Sequence, residues 1–295
     1  MEPTQANTNR VFRRPLILGA VLAALTVLAG AGLYFAGTRQ GLDLKYGRAV
    51  QKAQMVADLR ADLYAAAEAE KCAVLAETDQ ASEAYAALAR AAVGRMSAEL
   101  ARLQGMEDSD ATGDRLARDL AQTLDEYRKV DEEVLNLAVQ NTNLKALALT
   151  FGQASTALAD MEQALGPMRN RPEALRALAE ALRIQSLHAP HIMEKTEARM
   201  DALEQDMARA DKAVWASLDA LAAQTGGPEQ AAARAAYDRY WKTTLEVVRL
   251  SRQNTNVRSF SLSLERKGKV LAACNEALRV LSEHLRERMG TRATR

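Results

Sequence analysis

The chain has 295 residues, 39 basic against 38 acidic, with 26% charged side chains and only 4% aromatic ones. Alanine and leucine dominate while Gly and Pro are sparse, a composition of long helices that excludes a strand-rich fold. The two signs of charge are interleaved along the chain, which argues against a nucleic-acid partner.

The N-terminus carries Arg10, Arg13 and Arg14, followed by an uncharged run from Pro15 to Thr38. About 20 apolar residues suffice to cross a bilayer as a helix, and flanking arginines hold their side in the cytoplasm. Residues 1–14 therefore read as cytoplasmic, 15–38 as a transmembrane helix of the inner (cytoplasmic) membrane, and the bulk of the chain as periplasmic. A cleaved signal peptide is the rival reading, because Ala29-Gly30-Ala31 resembles a cleavage site. The apolar run continues through Tyr34 and Phe35, which favours the uncleaved anchor.

Beyond the anchor, turn signals at Gly105 to Gly113, Gly166-Pro167 to Arg171-Pro172, and Thr225 to Pro228 cut the chain into four segments, 39–105, 113–165, 172–224 and 228–288. The expectation is an all-α fold, an antiparallel four-helix bundle over 39–290, either continuous or as two stacked modules, closed by a basic tail at 291–295. The second and fourth segments repeat at an offset of 113 residues: fifteen of the 41 residues from 125 to 165 are identical, including the tetrapeptide Gln-Asn-Thr-Asn at 140–143 and 253–256. This predicts a duplicated helix hairpin, repeat 1 at about 39–165 and repeat 2 at about 172–288. Heptad stripes agree, with Leu137, Leu144, Phe151, Leu158 and Leu165 in one copy and Leu250, Val257, Leu264, Leu271, Leu278 and Leu285 in the other.

In up-down-up-down order the second and fourth segments run in the same direction. Their motifs then form one polar layer, with Gln140 and Gln253 in the core, Asn141, Asn143, Asn254 and Asn256 beside them, and Thr142 and Thr255 pointing outward. At that height the first segment carries Glu77-Thr78-Asp79 and the third His188-Ala-Pro190-His191, where proline is expected to kink or break the helix. An upper and a lower bundle segment should therefore meet at a polar junction.

The Arg-flanked first span leading straight into a helix, the size of the helical region, and the stretch AEAEKCAVLAETDQASEAYAALARA at 67–91 resemble the extracytoplasmic ligand-binding region of bacterial methyl-accepting chemotaxis proteins. The likeness is to their four-helix-bundle sensor domain or its helical bimodular variant. The resemblance implies signal transduction in chemotaxis, a homodimer, and a small polar metabolite as ligand, often an anion. That family continues into a second span and a cytoplasmic signalling hairpin, whereas this sequence stops at Arg295 and reads as a stand-alone relative or a fragment.

The polar layer has two readings. Buried amides fix register in bundles; alternatively Gln140, Asn141, Asn143, Gln253, Asn254 and Asn256 line a pocket, with Lys71, His188, His191, Lys195, Arg252 and Arg258 near in height to hold a carboxylate. A bundle that docks a partner membrane receptor without binding a small molecule is the alternative function. No cofactor is implied. His188 and His191 lack further ligands for a metal, and no catalytic motif is present, so an enzyme is not expected. Cys72 and Cys274, without Cys-x-x-Cys spacing, read as small buried residues; Tyr127, Tyr240, Trp215 and Trp241 read as seam-packing aromatics, and His284 as a solvated residue at a helix end.

Overall fold

Helical periodicity and capping residues divide the chain more finely than the turn signals do. The computed structural model describes residues 42–106 and 110–293; the span expected at 15–38 lies outside the described residues. Among those described, every regular element is helical, in the order α1 (Leu42–Leu75), α2 (Asp79–Gly105), α3 (Ala111–Ala138), α4 (Thr142–Leu149), α5 (Ser155–Leu165), α6 (Pro172–Met193), α7 (Glu197–Thr225), α8 (Pro228–Gln253), α9 (Thr255–Leu262) and α10 (Gly268–Ala293). Single π-helical turns, Thr150–Ala154 and Ser263–Lys267, join α4 to α5 and α9 to α10. None of the described helices is long and apolar enough to cross a membrane.

The first and third segments are not single long helices. Residues 76–78 turn α1 back into α2, and 194–196 turn α6 back into α7, so each segment is a hairpin. Capping explains the first turn: Thr78 Oγ1 accepts the Ala81 amide at 3.1 Å, Asp79 adds negative charge to the first helical turn, and Ser82 Oγ donates to Ala73 O across the bend. At the second, Glu194 Oε1 accepts the amides of Lys195 and Thr196 at 2.8 and 2.9 Å. Pro190 does not break its helix; it sits in the last turn of α6, which ends three residues later.

Two apolar cores result. In the first, α1, α2, α3 and α10 bury residues such as Leu59, Leu63, Met96, Leu120 and Leu278; in the second, α5, α6, α7 and α8 bury Met161, Ile184, Met207, Val214 and Tyr237. The second segment thus passes from the first bundle to the second, and the fourth passes back again. These two long segments run antiparallel, not in the same direction, and the repeated unit is a hairpin plus a long crossing helix, not a hairpin alone. Each bundle contains one repeat's hairpin, the first half of that repeat's long helix, and the second half of the other's.

The heptad stripes fail at one equivalent position in both copies. Phe151 is 71% exposed and Leu264 60%, because both fall in the π turns, whose extra residue rotates the downstream helical face. Leu158 and Leu165, like Leu278 and Leu285, return to the core. Cys274 is buried, but Cys72 is only half-buried.

At the crossing point the repeated tetrapeptide breaks both long helices. Asn141 and Asn254 adopt left-handed conformations with φ of 51° and 52°, which asparagine tolerates better than other residues with a side chain. Asn141→Ala or Asn254→Ala should therefore cost roughly 1–2 kcal/mol in conformation alone, plus about 1 kcal/mol for each lost hydrogen bond. Glycine at either position relieves the conformational part, so in urea unfolding the Gly variant should be the more stable by about 1 kcal/mol; equal losses would show that backbone conformation contributes nothing there.

Candidate functional site

The junction is built from the tetrapeptides themselves. The Thr142 amide donates to Thr255 Oγ1 and the Thr255 amide to Thr142 Oγ1, both at 3.2 Å, while the Asn143 and Asn256 amides donate to each other's side-chain oxygens at 3.1 and 3.2 Å. Each repeat thereby caps the free amides at the start of the other's helix, an exchange related by an approximate two-fold axis. Asn143 Nδ2 donates to Asn254 Oδ1 at 2.8 Å and Asn256 Nδ2 to Asn141 Oδ1 at 3.0 Å. Further donations reach the hairpin turns: Asn143 to Ile192 O, Asn254 to Glu194 O, and Asn141 to Asp79 Oδ1.

This reverses part of the layer read from sequence. Thr142 and Thr255 are buried at its centre, whereas Gln140 is exposed and Gln253 half-buried; Gln140 donates to Asn136 O on its own helix. The left-handed asparagine advances the helical face, so the core position passes from glutamine to threonine. Lys71 and Lys195 are exposed, on separate hairpins. Arg252 binds Glu204 at 2.6 Å and also pairs with Glu197 and Asp201, which hold its charge firmly. Arg258 lies exposed on the wall of a cleft in the first bundle. The expected residues do not converge on one pocket.

A second pair of polar clusters lies deeper, one in each bundle, beside the π turns. In the first bundle Lys267, which ends its π turn, donates to Glu70 Oε2 at 2.8 Å and to Asp131 Oδ1 at 2.5 Å, and its ammonium lies 5.0 Å from the centre of the Tyr127 ring. All four side chains are buried. Two carboxylates face one ammonium, and burial raises the Asp131 pKa despite the pull of Lys267. Glu70 Oε1 and the Tyr127 hydroxyl have no protein partner.

The equivalent turn of the second bundle holds His188, with Thr244 at the Asp131 position, Tyr240 at the Tyr127 position and Ala154 at the Lys267 position. His188 Nε2 lies 3.1 Å from Thr244 Oγ1 and Nδ1 lies 3.3 Å from Thr150 Oγ1, while its ring stacks on Tyr240. Burial, reinforced by nearby His191, pulls the His188 pKa down to about 4. One turn away His191 bridges Ser251, 2.6 Å from Nδ1, and Glu204, 2.8 Å from Nε2. Burial alone would push Glu204 up, but Arg252 and His191 hold it below the usual range. Ser251 and His191 are both wholly buried, so this serine–histidine–carboxylate chain orients helices and presents no nucleophile.

The first cluster was not visible in the sequence, because Glu70, Asp131 and Lys267 are far apart in the chain and look like ordinary helix-face charges; of the second, His188 and His191 were expected near a pocket, but their partners Thr150, Thr244 and Ser251 were not. The available signal was positional: within two otherwise matching copies, Lys267 stands where the first has Ala154, and Asp131 where the second has Thr244. His284 is not merely solvated, since its Nε2 contacts both oxygens of Asp110 at 3.0 and 2.8 Å. Asp110 caps α3 through the Gly113 amide, and a Cβ at position 113 would lie 2.4 Å from its Oδ2, so any other residue there would have to displace the capping carboxylate. Among the described residues no group of His, Cys, Asp and Glu side chains could hold a metal ion. No protein-family model and no curated protein matches the chain.

Two outcomes follow for the clusters. Lys267→Met leaves two buried carboxylates facing each other and should lower unfolding free energy by about 3–5 kcal/mol, with part recovered when Asp131→Asn is added; a loss below about 1 kcal/mol would mean the charges are solvated. His188 carries a pKa depressed below its ordinary 6.5, so its stabilising contribution is complete above pH 6.5 and falls as pH drops toward 4. Between pH 7 and 5 the protein should lose about 2 kcal/mol more than a His188→Asn variant does; parallel pH curves for the two would rule this out.

Proposed function

We propose that the protein is a membrane-anchored, extracytoplasmic ligand-binding bundle, a sensory module of the kind its sequence resembles in chemoreceptors. The observation that carries this reading is the pairing, in each bundle, of a buried polar cluster with an open cleft between the two helices beside it. In the first bundle the cleft between α2 and α3 has a volume of about 880 Å³ and reaches Asp131; in the second the cleft between α7 and α8, about 450 Å³, reaches Thr244. Buried polar groups in excess of their protein partners are costly unless something else completes them.

The uncharged run from Pro15 to Thr38, after three arginines, supports anchorage with the bundles outside the cytoplasm. Small residues four apart in that run, such as Gly19 and Ala23, support pairing as a homodimer. A second reading is favoured by the junction: its asparagines and threonines satisfy one another, as a purely structural lock would, and the exposed Phe151 and Leu264 suit an adaptor that docks a membrane receptor.

Thermal unfolding of residues 39–295 against a panel of small polar metabolites separates the two. A ligand at a hundred times its Kd stabilises the folded state by about 2.7 kcal/mol, so specific compounds should raise Tm by several degrees. A uniformly flat panel favours the adaptor.

A further inference from the structure

The interior of the first bundle carries an unbalanced charge that opens onto its cleft. Glu70, Asp131 and Lys267 set two buried carboxyl groups against one ammonium, and Asp131 is the member that lines the cleft wall. Lys267 occupies its Oδ1. Around the same cleft stand Arg90, Arg128, Lys129 and Arg258, with Glu132 and Glu133 among them. Arg90 is forked onto Glu132 and also donates to Asn136, and Arg128 and Lys129 share Asp125, so much of the rim is internally paired. Arg258 lies exposed on the opposite long helix.

The wall itself is kept low. Gly94 lies in the interior of α2, where glycine weakens a helix relative to alanine, and an added Cβ would meet nothing within 4 Å. Packing does not demand glycine there, but a side chain would project at the cleft. The matching cleft in the second bundle has a different lining, with Thr244 in place of Asp131, Trp241 in place of Arg128 and Leu245 in place of Glu132. The second cleft is lined by Asp201 and Glu204 but by no lysine or arginine, so the basic rim is a property of one copy and not of the fold.

Resting on the ligand-binding reading above, we propose that the α2–α3 cleft binds a small zwitterion, with its ammonium group against Asp131 and its carboxylate on the rim arginines, foremost Arg258. A dicarboxylate would set a second anion against an already negative wall. A simple amine would neutralise Asp131 but make no use of Arg258. An α-amino acid or a betaine supplies both signs a few ångströms apart, which suits the order of charges from wall to rim.

The full-length chain in detergent is the material for the test, with thermal shifts and calorimetry against the common α-amino acids, glycine betaine, succinate and putrescine. At least one zwitterion should stabilise the protein, while succinate and putrescine should not. Asp131→Asn leaves Lys267 paired with Glu70 as a balanced pair and should still fold, yet weaken that zwitterion at least tenfold; Gly94→Leu, at an exposed site, should do the same by filling the cleft. Leu182→Asn, at an exposed position of α6 outside both clefts, should leave affinity unchanged.

Stabilisation by succinate alone, with both first-bundle variants unaffected, would preserve a ligand-binding module while overturning this site and ligand class. Undiminished zwitterion affinity in Asp131→Asn and Gly94→Leu, both folded, would likewise place binding elsewhere. A flat response to every zwitterion overturns the inference outright.

Discussion

The free amides at the start of a helix need partners, and in this protein each copy of the repeat supplies them for the other. The Thr142 and Thr255 hydroxyls and the Asn143 and Asn256 carboxamides cap α9 and α4 reciprocally, at a buried site that water does not serve. A left-handed asparagine just before each start frees those amides and redirects the chain. The architecture depends on this exchange: it fixes the antiparallel crossing, sets the register between the two long helices, and through Asn141, Asn143 and Asn254 ties the crossing to both hairpin turns. Apolar packing alone would hold Ala- and Leu-rich helices together but would specify their sliding register poorly.

Above and below that crossing the two bundles have diverged in their interiors while keeping their frame. Tyr127 and Tyr240 hold the same place, and so do the two π turns, but one copy places a lysine between two carboxylates and the other a neutral histidine between two threonines. Within its π turn Lys267 faces inward while Leu264 and Arg266 face out, and from there its ammonium reaches Glu70 on α1 and Asp131 on α3 at once. The same frame thus supports a charged interior and a neutral one.

The helical class, the duplication and the importance of the Gln-Asn-Thr-Asn motif were legible in the sequence, because periodicity and identity at a fixed offset are local signals. The hairpin turns were not. Glu77-Thr78-Asp79 and Glu194-Lys-Thr196 contain neither glycine nor proline, and their bends rest on side-chain caps that look like ordinary polar residues in a row. Missing those bends made four long helices out of hairpins and reversed the relative direction of the second and fourth segments. Phe151 and Leu264 looked like core because a heptad count assumes 3.5 residues per turn throughout, and a π turn violates that assumption. The four motif asparagines were rightly suspected of meeting, but the two glutamines do not join them: one residue of helical phase decides whether glutamine or threonine faces inward, and that phase was set by a backbone conformation no composition reveals.

The exchange of half-helices also shapes how the chain must come together. The first bundle needs α10, which begins near residue 268, to cover α1, which begins at residue 42. During synthesis its first three helices therefore emerge with an uncovered apolar groove that only the end of the chain can fill, a contact of very long sequence separation and correspondingly slow closure. The second bundle has all its helices once α8 is made, so it can close first and present the outgoing strand of chain to the waiting groove. The α1–α2 hairpin, made before the other described helices, is among the last to become a finished structure, and any truncation that removes α10 leaves that hairpin as an open template for aggregation.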